Sequence, residues 1–358
     1  MSSRRTRRRS WTLTRDVAYK IKVLRGGAEL CELIWAENSA PNVYVRKDAD
    51  IKGSLSAEIY PEDGVDILSD ELQPVLVLNG GETPLGVFQA TTVEEIIDAY
   101  GRRLRVEAYD RCWRVRQSRT EGLYHIAAST PYLTAVQQLL TAAGIKLVLA
   151  VPSPAVLATD REDWDAGTDY LTICNQLLEE INYNPVWFDG RGICHLEPYK
   201  APTGGKIDHA YSSTDLKFTP ITDDHTQEID IFDTPNVFVR ICSNPDLPKP
   251  LTATAVNDSP TSSTSTFRRG MRIVDVATVN NVAGQEELQE LVNRLRNESM
   301  HATKTITFYT LATGGHGVGD IVSIDDTEIG GLWEETEWTL TMALGELMQH
   351  TARRVVIA

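Results

Sequence analysis

LRVEAYDRCWRV (residues 104–115) and STPYLTAVQQLLTAAG (residues 129–144) lie close together in the chain and follow different periods. The first reads as a strand, with Leu104, Val106 and Ala108 on alternate positions between charged neighbours. In the second, Leu133, Val136, Leu139 and Leu140 share one helical face. Thr130 is placed to cap that helix, Pro131 suits its first turn, and Gly144 ends it. The fold turns on this change of period near residue 119. Strands precede it, helices follow it, and strands return later.

Upstream, DVAYKIKVL (16–24) alternates Val17, Tyr19, Ile21 and Val23. CELIWAENS, GSLSAEIYP, PVLVLNG and LGVFQAT follow, each bounded by Gly, Pro, Asn or Asp. Strands at this spacing without a helix between them predict a small antiparallel barrel or sandwich. VEEIIDAYG (93–101) fits either a short helix or a long hairpin.

Downstream, TDYLTICNQLLEEIN (168–182) places Leu171, Cys174, Leu177, Leu178 and Ile181 on one stripe of a second helix. PVWFDGRGICHLEPY (185–199) reads as a strand pair about Asp189-Gly190. From Ser212 the strands return as TDLKFTPI, QEIDIFD and NVFVRICS. NPDLPKPLTATAVNDSPTSSTSTFRRG reads as an extended excursion in which LTATAV is the one strand-like piece. QEELQELVNRLRNESM is a third helix, and TKTITFYTL, DIVSID and WTLTMALG are the closing strands.

With 42% hydrophobic and 24% charged residues, the 358-residue chain has the balance of a folded soluble protein. Its longest apolar run, GIKLVLAVP from Gly144, is strand-sized and too short to span a bilayer, so no stable membrane insertion is expected. A formal charge of -15 argues against general nucleic-acid binding, which needs a basic face. The opening MSSRRTRRRSW is the exception. No apolar segment follows it, so it is read as a flexible basic tail rather than an export signal, with contact to a polyanion as the alternative. Cys31, Cys112, Cys174, Cys194 and Cys242 are widely spaced with no C-x-x-C pair, which signals neither a disulfide framework nor a zinc knuckle.

TGGHGVGDIVSID (313–325) is the stretch most like a catalytic or phosphate loop. A phosphate loop needs Lys-Ser/Thr and a following helix. Here no lysine is present, and a strand follows Gly314, Gly315, Gly317 and Gly319. His316 and Asp320 are therefore expected to sit in a turn that binds no cofactor, and replacing His316 with Ala is expected to leave assembly intact. The run TDDHTQEIDIFD offers Asp223, Asp224, His225, Glu228 and Asp230, without the spacing of a known metal frame. DREDWDAGTD sets Asp163, Asp165 and Gly167 in loose register with a calcium loop, but Cys174 stands where the bidentate glutamate belongs, and Thr168-Asp169 makes a better helix cap. Cys194 and His195 are neighbours that a strand turns to opposite faces. With neither G-x-S-x-G nor H-E-x-x-H, no catalytic, cofactor or metal residue is assigned, and the chain is not read as an enzyme.

The order of these pieces resembles the baseplate hub, or tail-tip hub, family of long-tailed bacteriophages and related contractile particles. IKGSLSAEIYPED, LGVFQAT and VEAYDR are similar to that family's first tube-like barrel. LTAVQQLLTAAGI and YLTICNQLLEEINYNPVWFDGRGICHLEPY are similar to its middle domain. NVFVRICSNPD, LTATAVNDSPTSSTST, EELQELVNRLRNES and HGVGDIVSID are similar to its last barrel. The resemblance implies a β-rich α+β fold of two tail-tube-like antiparallel β-barrels with an inserted mixed α/β domain. The expected division is a flexible basic tail at 1–9, barrel one at 10–118, the mixed domain at 119–204 and barrel two at 205–358, with the excursion at about 243–270. The two barrels are expected to superpose with one strand order, and a single continuous sheet, or unrelated end domains, would end that idea.

In function, the resemblance implies a homotrimeric ring in the virion, at the tail tip or baseplate, assembled in the host cytoplasm. The ring continues the tail tube, meets a distal tail protein or tube ring, the tape measure protein and a tip or spike protein, and passes DNA without reading its sequence. Because the sequence stops at ARRVVIA, soon after the last barrel, a bare hub is expected. The alternative is a carbohydrate-binding or adhesion module of the tail tip, and a hydrolase ranks below both. Trp11, Trp35, Trp113, Trp164, Trp187, Trp333 and Trp338 are scattered singly, which favours packing over an exposed aromatic platform.

Overall fold

The computed structural model describes residues 15–99, 101–200, 205–215, 219–232, 234–242, 249–279, 282–301, 304–317 and 319–355. The arginine run therefore lies outside the described residues, as does part of TDLKFTPI. Eight strands come first: β1 (Val17–Arg25), β2 (Ala28–Leu33), β3 (Asn42–Arg46), β4 (Gly53–Ile59), β5 (Glu71–Leu78), β6 (Gly81–Pro84), β7 (Phe88–Asp98) and β8 (Gly101–Asp110). VEEIIDAYG resolves as a hairpin, with β7 and β8 paired from Phe88↔Asp110 out to Asp98↔Gly101.

Around the first barrel the neighbours run β2-β1-β5-β7-β8-β4. The bridge Trp35↔Ile59 joins the chain just beyond β2 to the end of β4 and closes the ring. Inward residues of alternate positions, among them Ile21, Val23, Leu55, Leu72, Leu76, Phe88 and Val106, are buried together. Each such side chain contributes about 1.5–3 kcal/mol on burial.

The stretch read as a strand through Val115 bends instead into a helix. α1 (Arg111–Gln117) begins where the Asp110 carboxylate accepts from the Cys112 amide, and Cys112 and Val115, three apart, face the core. A capping aspartate ahead of an i, i+3 apolar pair outweighs the alternation before it. Next come β9 (Tyr124–Ile126), α2 (Tyr132–Ala142), β10 (Val148–Ala150), β11 (Arg161–Trp164), α3 (Tyr170–Glu179), β12 (Trp187–Phe188) and β13 (Cys194–Leu196). The α2 cap is Pro131, with no side-chain bond, rather than Thr130, whose amide donates to Ala127 O. Gly144 ends this helix at φ +83. α3 is capped by Asp169, and its apolar stripe joins α1 and α2 in one core.

The remainder is β14 (His209–Ser212), β15 (Thr219–Ile229), β16 (Val237–Cys242), β17 (Leu251–Val256), α4 (Thr266–Arg269), β18 (Val274–Val279), α5 (Gln285–His301), β19 (Lys304–Leu311), β20 (Ile321–Asp325), β21 (Gly331–Thr341) and β22 (Leu347–Arg354). β14-β15-β19-β22-β21-β20 closes a second six-strand ring, since β20 pairs with β14. The described part of the excursion, 249–270, is compact rather than extended. β16, β17 and β18 form a small sheet against α5, through Phe238, Ala253, Ala255, Leu288 and Val292. Its Ser/Thr-rich turn is buried as a polar network: Asn257 Nδ2 donates to Ser262 Oγ and Thr264 Oγ1, and Asn236 Nδ2 to the Thr264 carbonyl.

Numbering the ring strands one to six in chain order, both rings read 1-4-5-6-3-2 around the circle. The correspondence extends to register. β7 pairs with β8 through a bulge between Ala90 and Thr92, and β21 pairs with β22 through a bulge between Glu335 and Glu337. Aligning the bulges puts Phe88 with Trp333 and Gln89 with Glu334, and their partners across the next ladder, Leu72 and Val322, then coincide as well. One strand departs from the repeat, because β14 runs parallel to both neighbours where β1 is antiparallel to its own. The barrels are also not separate sheets. β3 pairs with β21, Arg46 opposite Glu337 through Asn42 opposite Thr341, so one hydrogen-bonded path runs through both rings. The expected repeat of strand order and a continuous sheet thus occur together. Among the described residues no helix is long and apolar enough to cross a membrane.

Candidate functional site

The turn between β19 and β20 carries the glycine-rich stretch and is drawn against both barrels. A Cβ on Gly314 would lie 2.6 Å from Thr83 Cγ2 of the first barrel, and Gly319 holds φ +79. Those glycines serve close approach and backbone shape. His316, however, is no bystander of the turn. Its side chain is buried and its Nδ1 lies 2.7 Å from Glu335 Oε2, while the other oxygen of Glu335 is 2.5 Å from His350 Nδ1. His350 Nε2 is 2.8 Å from Thr310 Oγ1, and His316 Nε2 is 3.4 Å from the Tyr211 hydroxyl. His209 stacks on His316 at 3.9 Å between ring centres, and its Nε2 is 3.2 Å from Asp320 Oδ2.

Burial works to raise the Glu335 pKa, but the imidazoles of His316 and His350 overcome it and hold the carboxylate ionised, well below its ordinary range. An ionised carboxylate only accepts, so both Nδ1 atoms facing it carry the proton. Burial also lowers the pKa of His350 and keeps it neutral, against the pull of Glu335.

Three imidazoles and two carboxylates so close together are metal-ligand chemistry in kind. At Glu335 the spacing is not. Ligands about 2.0–2.1 Å from a tetrahedral ion stand roughly 3.3 Å apart, whereas the Glu335 oxygens lie 2.5 and 2.7 Å from the two ring nitrogens. These are hydrogen-bond lengths, and Glu335 with His316 and His350 forms a buried polar network that ties the turn to β21 and β22.

The other singled-out residues do not converge on a reaction centre. Asp223, Asp224, Glu228 and Asp230 are exposed along or just past β15, and His225 reaches Glu328 at 3.2 Å. Asp163 is engaged by Arg161, and Asp169 accepts from the Thr172 amide at 2.8 Å as the cap of α3. Cys194 and His195 take opposite faces of β13. The thiol is buried and pushed up to about 12, while the imidazole stacks on Trp187 at 4.3 Å. Burial thus favours the protonated thiol, and Cys194 packs in the core of the middle unit. What sequence reasoning missed is the role of His316, Glu335 and His350 together. The available signal was a histidine at the inward position of an alternating strand, between Met348 and Ala352.

No protein-family model and no curated protein sequence matches the chain. Solved structures do match over nearly its whole length. A tail protein from Neisseria meningitidis MC58 superposes with a TM-score of 0.67 at 13% identity, covering 94% of this chain and 97% of that one. A prophage MuSo2 tail protein from Shewanella oneidensis gives 0.63 at 9% identity, covering 94% and 98%. An Escherichia coli component of the type VI secretion system, structurally similar to the T4 bacteriophage tail proteins gp27 and gp5, gives 0.52 at 11% identity, covering 95% and 77%. The chain has the fold of phage tail proteins, two β-barrels with a mixed α/β unit between them.

Proposed function

We propose that this chain is the structural hub of a phage tail tip or baseplate. Three copies close into a ring that continues the tail tube, surrounds the DNA channel and joins the tube to tip or spike proteins. The observation that carries this reading is the internal repeat: two closed rings with the same strand order, and with bulges in matching positions, within one chain. Three such chains supply six like barrels, so a threefold assembly can meet a sixfold tube. Closed rings of this kind are built from heterologous contacts around an axis. The domain division at about residues 118 and 204 belongs to this proposal, with the middle unit on the rim of the ring.

The role is one of assembly rather than catalysis. It accords with a buried polar network whose members engage one another and with Cys194, in the core of the middle unit, held as thiol. The expected neighbours are a distal tail protein or tube ring, the tape measure protein and a tip or spike protein in the virion, after assembly in the host cytoplasm. Light scattering and electron microscopy of the purified chain, alone and with its tube protein, test the reading. Threefold rings that cap tubes are expected, and a monomer that never joins a tube rejects it.

A further inference from the structure

The repeat makes one joint visible within the chain and leaves its counterpart open. Within the chain, the outer edge of β21 is covered by β3. The residue of barrel one that matches each position of β21 follows from the aligned bulges: Thr92 for Glu337, Val93 for Trp338, Glu94 for Thr339, Glu95 for Leu340 and Ile96 for Thr341. The counterpart of β3 follows in the same way. β3 lies on β4 with Asn42 opposite Ser56 and Val43 opposite Leu55, and β15 lies on β19 with Thr226 opposite Thr307 and Gln227 opposite Ile306. β4 and β19 themselves coincide through their pairing with β8 and β22. The second half of β15 is therefore the β3 of barrel two.

Among the described residues, neither counterpart edge has a partner strand. β5 reaches β7 only at Phe88 and Gln89, and β14 reaches β15 only at Thr219 and Pro220. Both edges also carry apolar side chains into solvent, with Ile97 74% exposed on one, and Ile229 65% and Phe232 84% exposed on or just beyond the other. Open edges flanked by exposed apolar residues invite pairing.

We propose that the β7 edge of one copy pairs antiparallel with the β15 edge of the next copy, in the register that β21 and β3 use within the chain. Val93 then stands opposite Ile229, Glu95 opposite Gln227, and Thr92 opposite Asp230. Glu94 meets Glu228, and Arg105, 2.7 Å from Glu94, lies beside that like-charged pair. The joint is more polar than its internal model, where Val43, Val45, Trp338 and Leu340 meet. That suits a contact made between separately folded chains. Because the two edges differ, the contact is heterologous and propagates until it closes.

This inference rests on the trimeric reading and is tested separately from it. Residues directly opposite in an antiparallel pair have Cα atoms about 4.5–5.5 Å apart, within disulfide range. The double variant Val93→Cys with Ile229→Cys is expected to shift on oxidation from one-copy to three-copy mass under denaturing conditions. Val93→Cys with Glu228→Cys, one residue out of register and on the other face, is expected not to. Ile229→Lys is expected to abolish the ring while leaving the thermal transition of the single chain in place. Three-copy mass by light scattering without the Val93–Ile229 cross-link overturns this edge and leaves the ring standing. One-copy mass throughout, with no cross-link, overturns both.

Discussion

His316, from the glycine-rich turn, donates Nδ1–H to Glu335 across 2.7 Å, and both side chains are about 1% exposed. The turn is thereby fastened to the wall of the second barrel by a buried charge-assisted bond. His316→Ala is expected to destabilise the chain by about 3–5 kcal/mol, since a buried carboxylate would lose half its partners. The change should appear as a lower urea midpoint, with His316→Gln less harmful. An unaltered midpoint would return His316 to the status of a passive turn residue.

The same network predicts a pH dependence. His350 has a folded pKa below its ordinary 6.5, so the unfolded chain takes up that proton first, and the stability that His350 contributes falls as pH drops below about 6.5. Glu335, depressed below its ordinary 4.5, adds a second loss as pH falls beneath that value. Both contributions are complete near neutrality. Melting curves between about pH 8 and pH 4 should fall more steeply for the natural chain than for His350→Gln. Parallel curves for the two would count against this account.

Asp110 gives a third test. Its Oδ2 accepts from the Gly53 amide at 2.7 Å and its Oδ1 from the Cys112 amide at 2.9 Å, so one side chain caps α1 and pins β4. Burial raises its pKa to about 6 against those bonds. Asp110→Ala should cost about 2 kcal/mol or more through the lost cap and two unpaired buried amides. Asp110→Asn can satisfy only one amide and should fall between. Denaturant titration of the three chains should give that order, and any other order refutes the shared-cap explanation.

Asp110 also shows what the sequence conceals. Alternation made 104–108 legible as strand, but the same run then turned into α1, because one carboxylate was placed to cap and two apolar residues stood three apart. β22 went unread because its buried positions are Met348, His350 and Ala352, and a histidine in the core breaks an apolar pattern. β14 is four residues long and parallel, with too few positions to show a period. The helices α2, α3 and α5 were legible because their stripes are long. The repeat itself lies in backbone register. Phe88 corresponds to Trp333 and Ala90 to Glu335, so composition carries no trace of it. The buried polar network was hidden for a related reason, since its members come from separate strands and a turn.

The last prediction concerns charge along the channel. The formal charge of -15 means acidic groups outnumber basic ones, and His225 with Glu328 brings two acidic segments, TDDHTQEID and IDDTEIGG, side by side. If the ring passes DNA, an inner wall lined by such carboxylates repels phosphate and lets the duplex slide. Lysines at the same positions would gain attraction by releasing counterions, and the gain would grow with each contact. Replacing Asp223, Asp224 and Glu328 together with Lys should slow DNA ejection by roughly tenfold at low salt, and raising the salt should restore most of the rate. Single replacements should do little. The measurement is ejection rate against salt for particles carrying each variant. A triple variant that ejects at the natural rate at low salt would show that these carboxylates face away from the bore.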